Sequence, residues 1–382
     1  MSLLSPDPAG PLPVTGAWRE GDPVGERLFD HIGDVALESG TTLPDVTVAY
    51  ETSGVLNAER SNAVLVLHAL TADSHVRGPA GHGHPSPGWW EALVGPGRAI
   101  DTDQFFVVSP NILGGCQGTT GPASQGPDGR PWGSQFPYLT ARDQVAAETA
   151  LADRLGITRW AGVFGGSAGG MRALEWAIGR PDRVDGLFLL AVSAQASAQQ
   201  IALATTQNAA IRADAAFARG DYYEARPGGG PHHGLDLARR MAHISYRSER
   251  ELSERFGRHL QGDESIADGG RFAVDSYLRH HGDKLVRRFD ANTYLVLNDA
   301  MNSHDVGRDR GGIEAALGRI TARAVVVGID SDRLYPLAEQ EEIAENIHGC
   351  DYLDVIESPY GHDGFLIEHK AIDPLARRLL GT

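Results

Sequence analysis

Ser167 stands in Gly165-Gly166-Ser167-Ala168-Gly169, a G-x-S-x-G stretch between an apolar run at 160–164 and a helically spaced segment at 170–178. Small residues on both sides of the serine permit a strained strand-to-helix turn that lifts a nucleophilic hydroxyl clear of the backbone. A serine hydroxyl is a weak nucleophile until a base takes its proton, and the base needs a carboxylate to orient it. For a serine on such a turn the chain order is Ser, then Asp or Glu, then His. The partners therefore lie after residue 167. Two loops there directly follow apolar runs, where functional residues of parallel sheets gather. Loop 328–336 carries Asp330 and Asp332, and loop 358–365 carries His362. His362 is the expected general base. Asp332, deeper in its loop, is the expected orienter, and Asp330 is the alternative. A lone Asp after a strand is also a common helix N-cap, so the assignment rests on the whole constellation.

Acyl chemistry further requires two backbone N–H groups aimed at the developing oxyanion, each contributing about 3 kcal/mol. The amide of Ala168, next to the nucleophile, is one. The other is expected from the loop after the 63–67 run, His68-Ala69-Leu70-Thr71, with Leu70 preferred and Thr71 second. His68 reads as structural, because triad order puts the base late in the chain. His82 and His84 form an H-x-H pair in a Gly/Pro-rich loop with no third ligand evident. They are expected to be solvent-exposed, and no metal is expected.

These residues need a scaffold. Apolar and polar residues alternate over 35–50 across a break at 40–42, which predicts an antiparallel hairpin at a sheet edge. Short apolar runs at 63–67 and 105–108 predict strands covered on both faces. A helix over 142–155 feeds the elbow strand, and a further strand is expected at 186–192. This β-α-β-α-β order predicts a mostly parallel, doubly wound sheet covered by helices. Between 194 and 313 the strand-like runs cease and helical periodicity appears at 199–215, 235–244 and 293–301. This stretch reads as a helical insertion, with the Gly-rich break at 226–230 a surface loop. The sheet pattern resumes with strands at 324–328 and 352–356 and helices at 338–347 and 372–380. The chain thus divides into 1–193 (first part of the core, with a loose arm at 1–18), 194–313 (insertion) and 314–382 (second part of the core).

Composition narrows the function classes. The chain has 382 residues, 41% hydrophobic and 22% charged, with a formal net charge of −16. That charge opposes nucleic acid and anionic lipid as partners. No apolar run approaches the roughly 20 residues needed to cross a bilayer, and residues 1–18 lack a basic start and an apolar signal core. A cytoplasmic protein without membrane attachment is expected. Cys116 and Cys350 are the only cysteines, too far apart in sequence for a metal-like spacing and too few for a disulfide framework.

The segments 68–75, 111–122, 165–176, 289–294 and 331–336 together resemble the homoserine O-acetyltransferase family, and the similarity runs from about residue 36 to the C-terminus. The resemblance implies an α/β-hydrolase fold whose insertion is a helical lid. It implies transfer of acetyl from the cosubstrate acetyl-CoA to the hydroxyl of L-homoserine, on a route to methionine, with no permanently bound cofactor. It implies Ser167, Asp332 and His362 as the triad, Arg239 and Asp363 as homoserine contacts, and a homodimer through the lid. Homoserine is a zwitterion, so a guanidinium for its carboxylate and a carboxylate for its ammonium are the chemistry it needs. This chain departs from the family pattern at Arg240, where an apolar residue is usual, which leaves Arg239 and Arg240 as alternatives. It departs again at Ala168, where many relatives have Met, but the backbone amide survives that change. A succinyl donor, a serine acceptor, or hydrolysis of an ester or lactone are the alternatives.

Overall fold

The computed structural model describes residues 12–382. Its centre is a sheet whose middle strands are the continuous apolar runs of the sequence. Strands β1 (Leu28–Ala36) and β2 (Thr42–Ser53) form the predicted edge hairpin. β1 begins seven residues earlier than the alternation suggests, because its apolar residues Leu28, Phe29 and Ile32 do not alternate with polar ones and only Val35 in the strand is buried. β3 (Ala63–Leu67) follows, then a small parallel pair, β4 (Val94–Gly95) and β5 (Ile100–Asp101), that periodicity did not reveal. β6 (Phe106–Pro110), β7 (Gly162–Gly166), β8 (Gly186–Leu190), β9 (Arg323–Ile329) and β10 (Leu353–Ile356) complete the eight-stranded sheet, in the order β1-β2-β6-β3-β7-β8-β9-β10. β2 runs antiparallel to both neighbours, and all pairs from β6 to β10 are parallel.

β3, β7 and β8 are buried at every position. The two-residue period of a strand sends Ala63, Leu65 and Leu67 into one apolar cluster and Val64 and Val66 into another on the opposite face. Helices α1 (Ala141–Arg154) and α2 (Ala168–Gly179) cover the first face. The C-terminal helix α11 (His369–Leu380) packs on the second. Thr140 and Asp143 form a reciprocal capping box that starts α1.

Between β8 and β9 the chain leaves the sheet and builds α3 (Ala198–Arg212), α4 (His232–Tyr246), α5 (Glu249–Phe256), α6 (Ala273–Val286), α7 (Ala291–Asn302) and the short α8 (Ile313–Leu317). α9 (Leu337–Asn346) lies between β9 and β10, and the one-turn α10 (Gly364–Ile367) precedes α11. α5 and α6 were not foreseen. The Gly-rich break is exposed at 226–228, but Gly230 is buried and Gly228 donates its N–H to Leu12 O at 2.7 Å. The described part of the N-terminal arm is likewise tied down and not loose. Thr15 Oγ1 donates to Asp290 Oδ1 at 2.7 Å, Gly16 N to Phe289 O at 3.1 Å and Trp18 N to Cys116 O at 2.9 Å. Residues 1–11 of that arm lie outside the described residues. A third apolar cluster joins the excursion to the core, with Leu235, Ala238 and Tyr294 against Leu70, Ile112 and Ala168. No helix among the described residues is long and apolar enough to cross a membrane.

Candidate active site

The elbow is built as its glycines suggest. Ser167 has φ 54° and ψ −128°, a conformation that side chains rarely adopt. A Cβ on Gly165 would come within 2.3 Å of Gly169 O, and one on Gly169 within 2.0 Å of Leu67 O. Only glycine lets β7, the turn and α2 approach this closely. Ser167 N donates to Leu190 O at 3.0 Å, which pins the turn to the neighbouring strand.

The two late loops bring their side chains to this serine. His362 Nε2 lies 2.9 Å from Ser167 Oγ, and His362 Nδ1 lies 2.6 Å from Asp332 Oδ2. Asp332 therefore stands where the orienter was expected. Its other oxygen accepts the N–H groups of Leu334 at 2.8 Å and Tyr335 at 3.0 Å, which holds the turn, but it is not a helix N-cap, a position that Pro336 takes at the start of α9. Asp330 instead accepts Ser358 N at 2.9 Å and ties the two loops together. The His362 ring is stacked on Tyr335, with centroids 4.9 Å apart, and flanked by Phe365 and Tyr246. All three triad side chains are buried.

Leu70 and Ala168 line one small cavity together with Ile112 and Met171. Among the described residues neither backbone N–H appears as a donor in a turn, loop or cap hydrogen bond. Thr71, the second choice, has its carbonyl and hydroxyl engaged by Arg288 Nη2 at 2.6 Å and Arg239 Nη1 at 3.2 Å. Arg240 turns away and pairs with Asp236 one helical turn back, at 2.6 Å. Arg239 faces the site, its guanidinium carbon 5.7 Å from the ring centroid of Tyr246. Asp363 is not a free carboxylate. Arg247, a residue the sequence did not single out, holds it at 3.1 Å. Burial raises the Asp363 pKa, against the pull of Arg247, His362 and Arg239.

Neither His68 nor His84 behaves as a surface residue. His68 is buried, with Nδ1 donating to Ala69 O at 2.8 Å and Nε2 accepting Ile112 N at 3.0 Å. Burial, reinforced by the Arg172 charge, brings its pKa down to about 3 from 6.5. The unfolded chain thus binds the extra proton between these values, and the stability His68 contributes above pH 6.5 is lost as pH falls through that window. His68→Gln, which keeps an acceptor for Ile112, is expected to flatten the fall of the urea midpoint between about pH 6.5 and 4. An unaltered slope would contradict this assignment.

His84 corrects the expectation of an exposed H-x-H pair, since only His82 is exposed. The His84 ring stacks on His75 at 3.8 Å and 8°, and both meet Glu51. Glu51, His75 and His84 are thus a potential ligand group that spacing could not reveal, because Glu51 comes from β2. However, His84 Nε2 already accepts Glu26 N at 3.1 Å, and His75 Nδ1 is spent on Glu51 at 2.9 Å. Two parallel stacked rings also cannot both aim an in-plane lone pair at one ion. The group fastens the 68–75 loop to the sheet edge, aided by Ser74 Oγ donating to Glu51 at 2.8 Å.

A family profile described as alpha/beta hydrolase fold matches residues 62–368. The homoserine O-acetyltransferase of Thermobifida fusca (strain YX) is 60% identical over 378 residues, spanning 99% of this chain and 100% of that protein. That of Clavibacter michiganensis subsp. michiganensis (strain NCPPB 382) is 59% identical over 377 residues, spanning 98% and 97%. Among solved structures, homoserine O-acetyltransferase from Bacillus anthracis matches with a TM-score of 0.84 at 27% identity, over 93% of this chain and 97% of that one. Esterase E22 matches with a TM-score of 0.84 at 26% identity, over 93% and 99%. Near-complete coverage at such identity, on a sheet that carries Ser167, Asp332 and His362 in hydrogen-bonded sequence, makes this chain a member of the homoserine O-acetyltransferase family, built on the α/β-hydrolase fold.

Proposed function

We propose that this enzyme moves an acetyl group from acetyl-CoA to the hydroxyl of L-homoserine in two steps, through acetyl-Ser167. The observation that carries this reading is the relay from Ser167 Oγ to His362 Nε2 and from His362 Nδ1 to Asp332, on the side of the sheet where Arg239 faces. In the first step His362 takes the Ser167 proton as Oγ attacks the thioester carbonyl. The amides of Leu70 and Ala168 hold the oxyanion. The tetrahedral species collapses, the C–S bond breaks, and CoA leaves with the proton from His362. In the second step His362 takes the proton of the homoserine hydroxyl, which attacks the acetyl-serine. Collapse returns the proton to Ser167 Oγ and frees O-acetyl-L-homoserine.

In this reading Arg239 receives the homoserine carboxylate and Asp363 its ammonium. Asp363 then serves two cations, Arg247 from one side and the ammonium from the other. The helical excursion acts as a lid, supported by the packing of α4 and the following turn on the His362 loop, where Ser248 Oγ donates to Pro359 O. A lid limits water, and an anchored alcohol reacts at an effective concentration that reaches about 10⁵ M or more in well-oriented systems. Transfer then outruns hydrolysis. The likeness to esterase E22 favours a second reading, in which water is the acyl acceptor. A cytoplasmic homodimer joined through the excursion belongs to the first reading, and Leu237 and Ile244, 46% and 49% exposed on α4, offer it apolar contacts.

The test is CoA release from acetyl-CoA and from succinyl-CoA, each with homoserine, with serine and with neither. Rapid release only with acetyl-CoA plus homoserine is expected. Equal release without an amino acid would establish the hydrolase instead, and preference for succinyl-CoA or serine would replace the donor or the acceptor.

A further inference from the structure

Arg288 lies just beyond the end of α6, and nothing in the mechanism above uses it. Its Nη2 donates to Thr71 O at 2.6 Å, while Arg239 Nη1, from α4, donates to the hydroxyl of the same threonine at 3.2 Å. Two partly buried guanidinium groups thus converge on one residue, next to Leu70. Among the described residues neither has a carboxylate in ion-pair contact, whereas Arg240 and Arg247 nearby are both paired. Asp73 acts on Arg288 only through space, and Arg239 works against it by depressing its pKa further below the usual value, which burial already lowers. Asp73 offsets part of this charge through space, but two guanidinium groups with no carboxylate in contact keep donors for a further anion.

The position of Arg288 is enforced by the backbone. Arg288 O accepts Gln117 Nε2 at 2.7 Å, and Gly16 of the N-terminal arm lies so close that a Cβ there would fall 2.4 Å from Arg288 N. Two segments remote in sequence therefore fix the backbone from which this side chain reaches Thr71.

We infer that Arg288 and Arg239 together grip the carboxylate of the amino-acid acceptor, with Arg288 a second specificity-determining residue. This rests on the acceptor being homoserine, as proposed above. Four bonds separate the carboxylate carbon of homoserine from its hydroxyl oxygen, about 5 Å when extended. A carboxylate held beside Thr71 therefore leaves the hydroxyl within reach of the acyl group between Ser167 and Leu70. The phosphates of CoA lie a whole pantetheine arm from the thioester and cannot reach cations adjoining the oxyanion loop. Two guanidinium groups on one carboxylate also discriminate against a neutral alcohol, because its approach leaves both cations without an anion.

The decisive comparison is L-homoserine against 3-amino-1-propanol, which is homoserine without its carboxylate. Arg288→Gln keeps a donor for Thr71 O but removes the charge. Its ratio of kcat/KM for homoserine over 3-amino-1-propanol is expected to fall about 10- to 100-fold, the usual worth of a hydrogen bond to a charged group. Most of the loss should appear in the homoserine KM, and the burst of acetylation from p-nitrophenyl acetate should persist as evidence of an intact site. Equal losses with both acceptors, or loss of the burst, would show that Arg288 merely supports the Thr71 loop and would overturn the inference. So would an unchanged ratio. Failure of the proposed function reads differently: the wild-type enzyme itself would then show no preference for homoserine.

Discussion

Ser167→Ala abolishes homoserine-dependent CoA release, by an expected factor of at least about 10⁴ in kcat, since deleting a triad nucleophile removes the covalent route altogether. The effect is this large because the rest of the relay has nothing to act on. His362 stays oriented by Asp332 at 2.6 Å, yet without Oγ it has no proton to remove. The companion measurement is the intact mass of wild-type enzyme mixed with acetyl-CoA alone. It should rise by one acetyl group on Ser167 and return to its starting value when homoserine is added. Release by the Ala variant at a tenth or more of the wild-type rate would mean direct transfer between two bound substrates.

Glu148→Ala should produce the largest loss of stability. Arg172 is fully buried on α2 and is neutralised by Glu148 of α1, whose second oxygen accepts Trp176 Nε1 at 2.8 Å. Arg172 also donates to His68 O at 2.5 Å. Removing Glu148 strands a guanidinium in the core, at a cost of about 3–5 kcal/mol. The loss is read from the midpoint of urea unfolding followed by tryptophan fluorescence. Glu148→Gln, which retains an acceptor, should lose less. A cost below about 1 kcal/mol for the Ala variant, within the range of ordinary surface changes, would remove this pair from the account of stability. Because Arg172 also fixes the carbonyl two residues before Leu70, weaker oxyanion stabilisation and a lower kcat accompany the loss of stability.

Chemistry was more legible in this sequence than contact. Ser167, Asp332 and His362 could be read because the elbow has a rigid spacing requirement and the chain order of its partners is constrained. The buried strands could be read because a sheet covered on both faces leaves continuous apolar runs. α6 escaped notice because its exposed face is rich in His, Asp and Arg, and its packing against α4 depends on Gly282, where a Cβ would fall 1.8 Å from Asp236 Oδ1. A glycine inside a helix reads as a break until the neighbouring helix is seen. Arg247 and Glu51 were missed for a different reason. Their roles come from partners supplied by other elements, Asp363 and the histidine pair, and no local pattern encodes such meetings. Glu148 did leave a signal, as a carboxylate on the apolar face of α1 three residues after Val145 and three before Leu151. A charge at a core position announces a buried partner.

β8 and β9 lie side by side, Gly186 opposite Arg323 and Leu190 opposite Val327, although the whole helical excursion separates them in sequence. Joining two neighbouring strands through a loop costs entropy that grows only logarithmically with length, about 0.6 kcal/mol for each doubling. The entropy of joining the two strands therefore changes little with the length of the excursion, while its packing against Leu70, Ile112 and Ala168 has to be kept. Ser167, Asp332 and His362 all stand on segments outside it, whereas Arg239 and Arg288 lie within it. The triad thus stands outside the excursion, and the two arginines proposed for the acceptor carboxylate stand within it, so a graft between the two strands that keeps this packing is a route to new acceptors that leaves the nucleophile untouched.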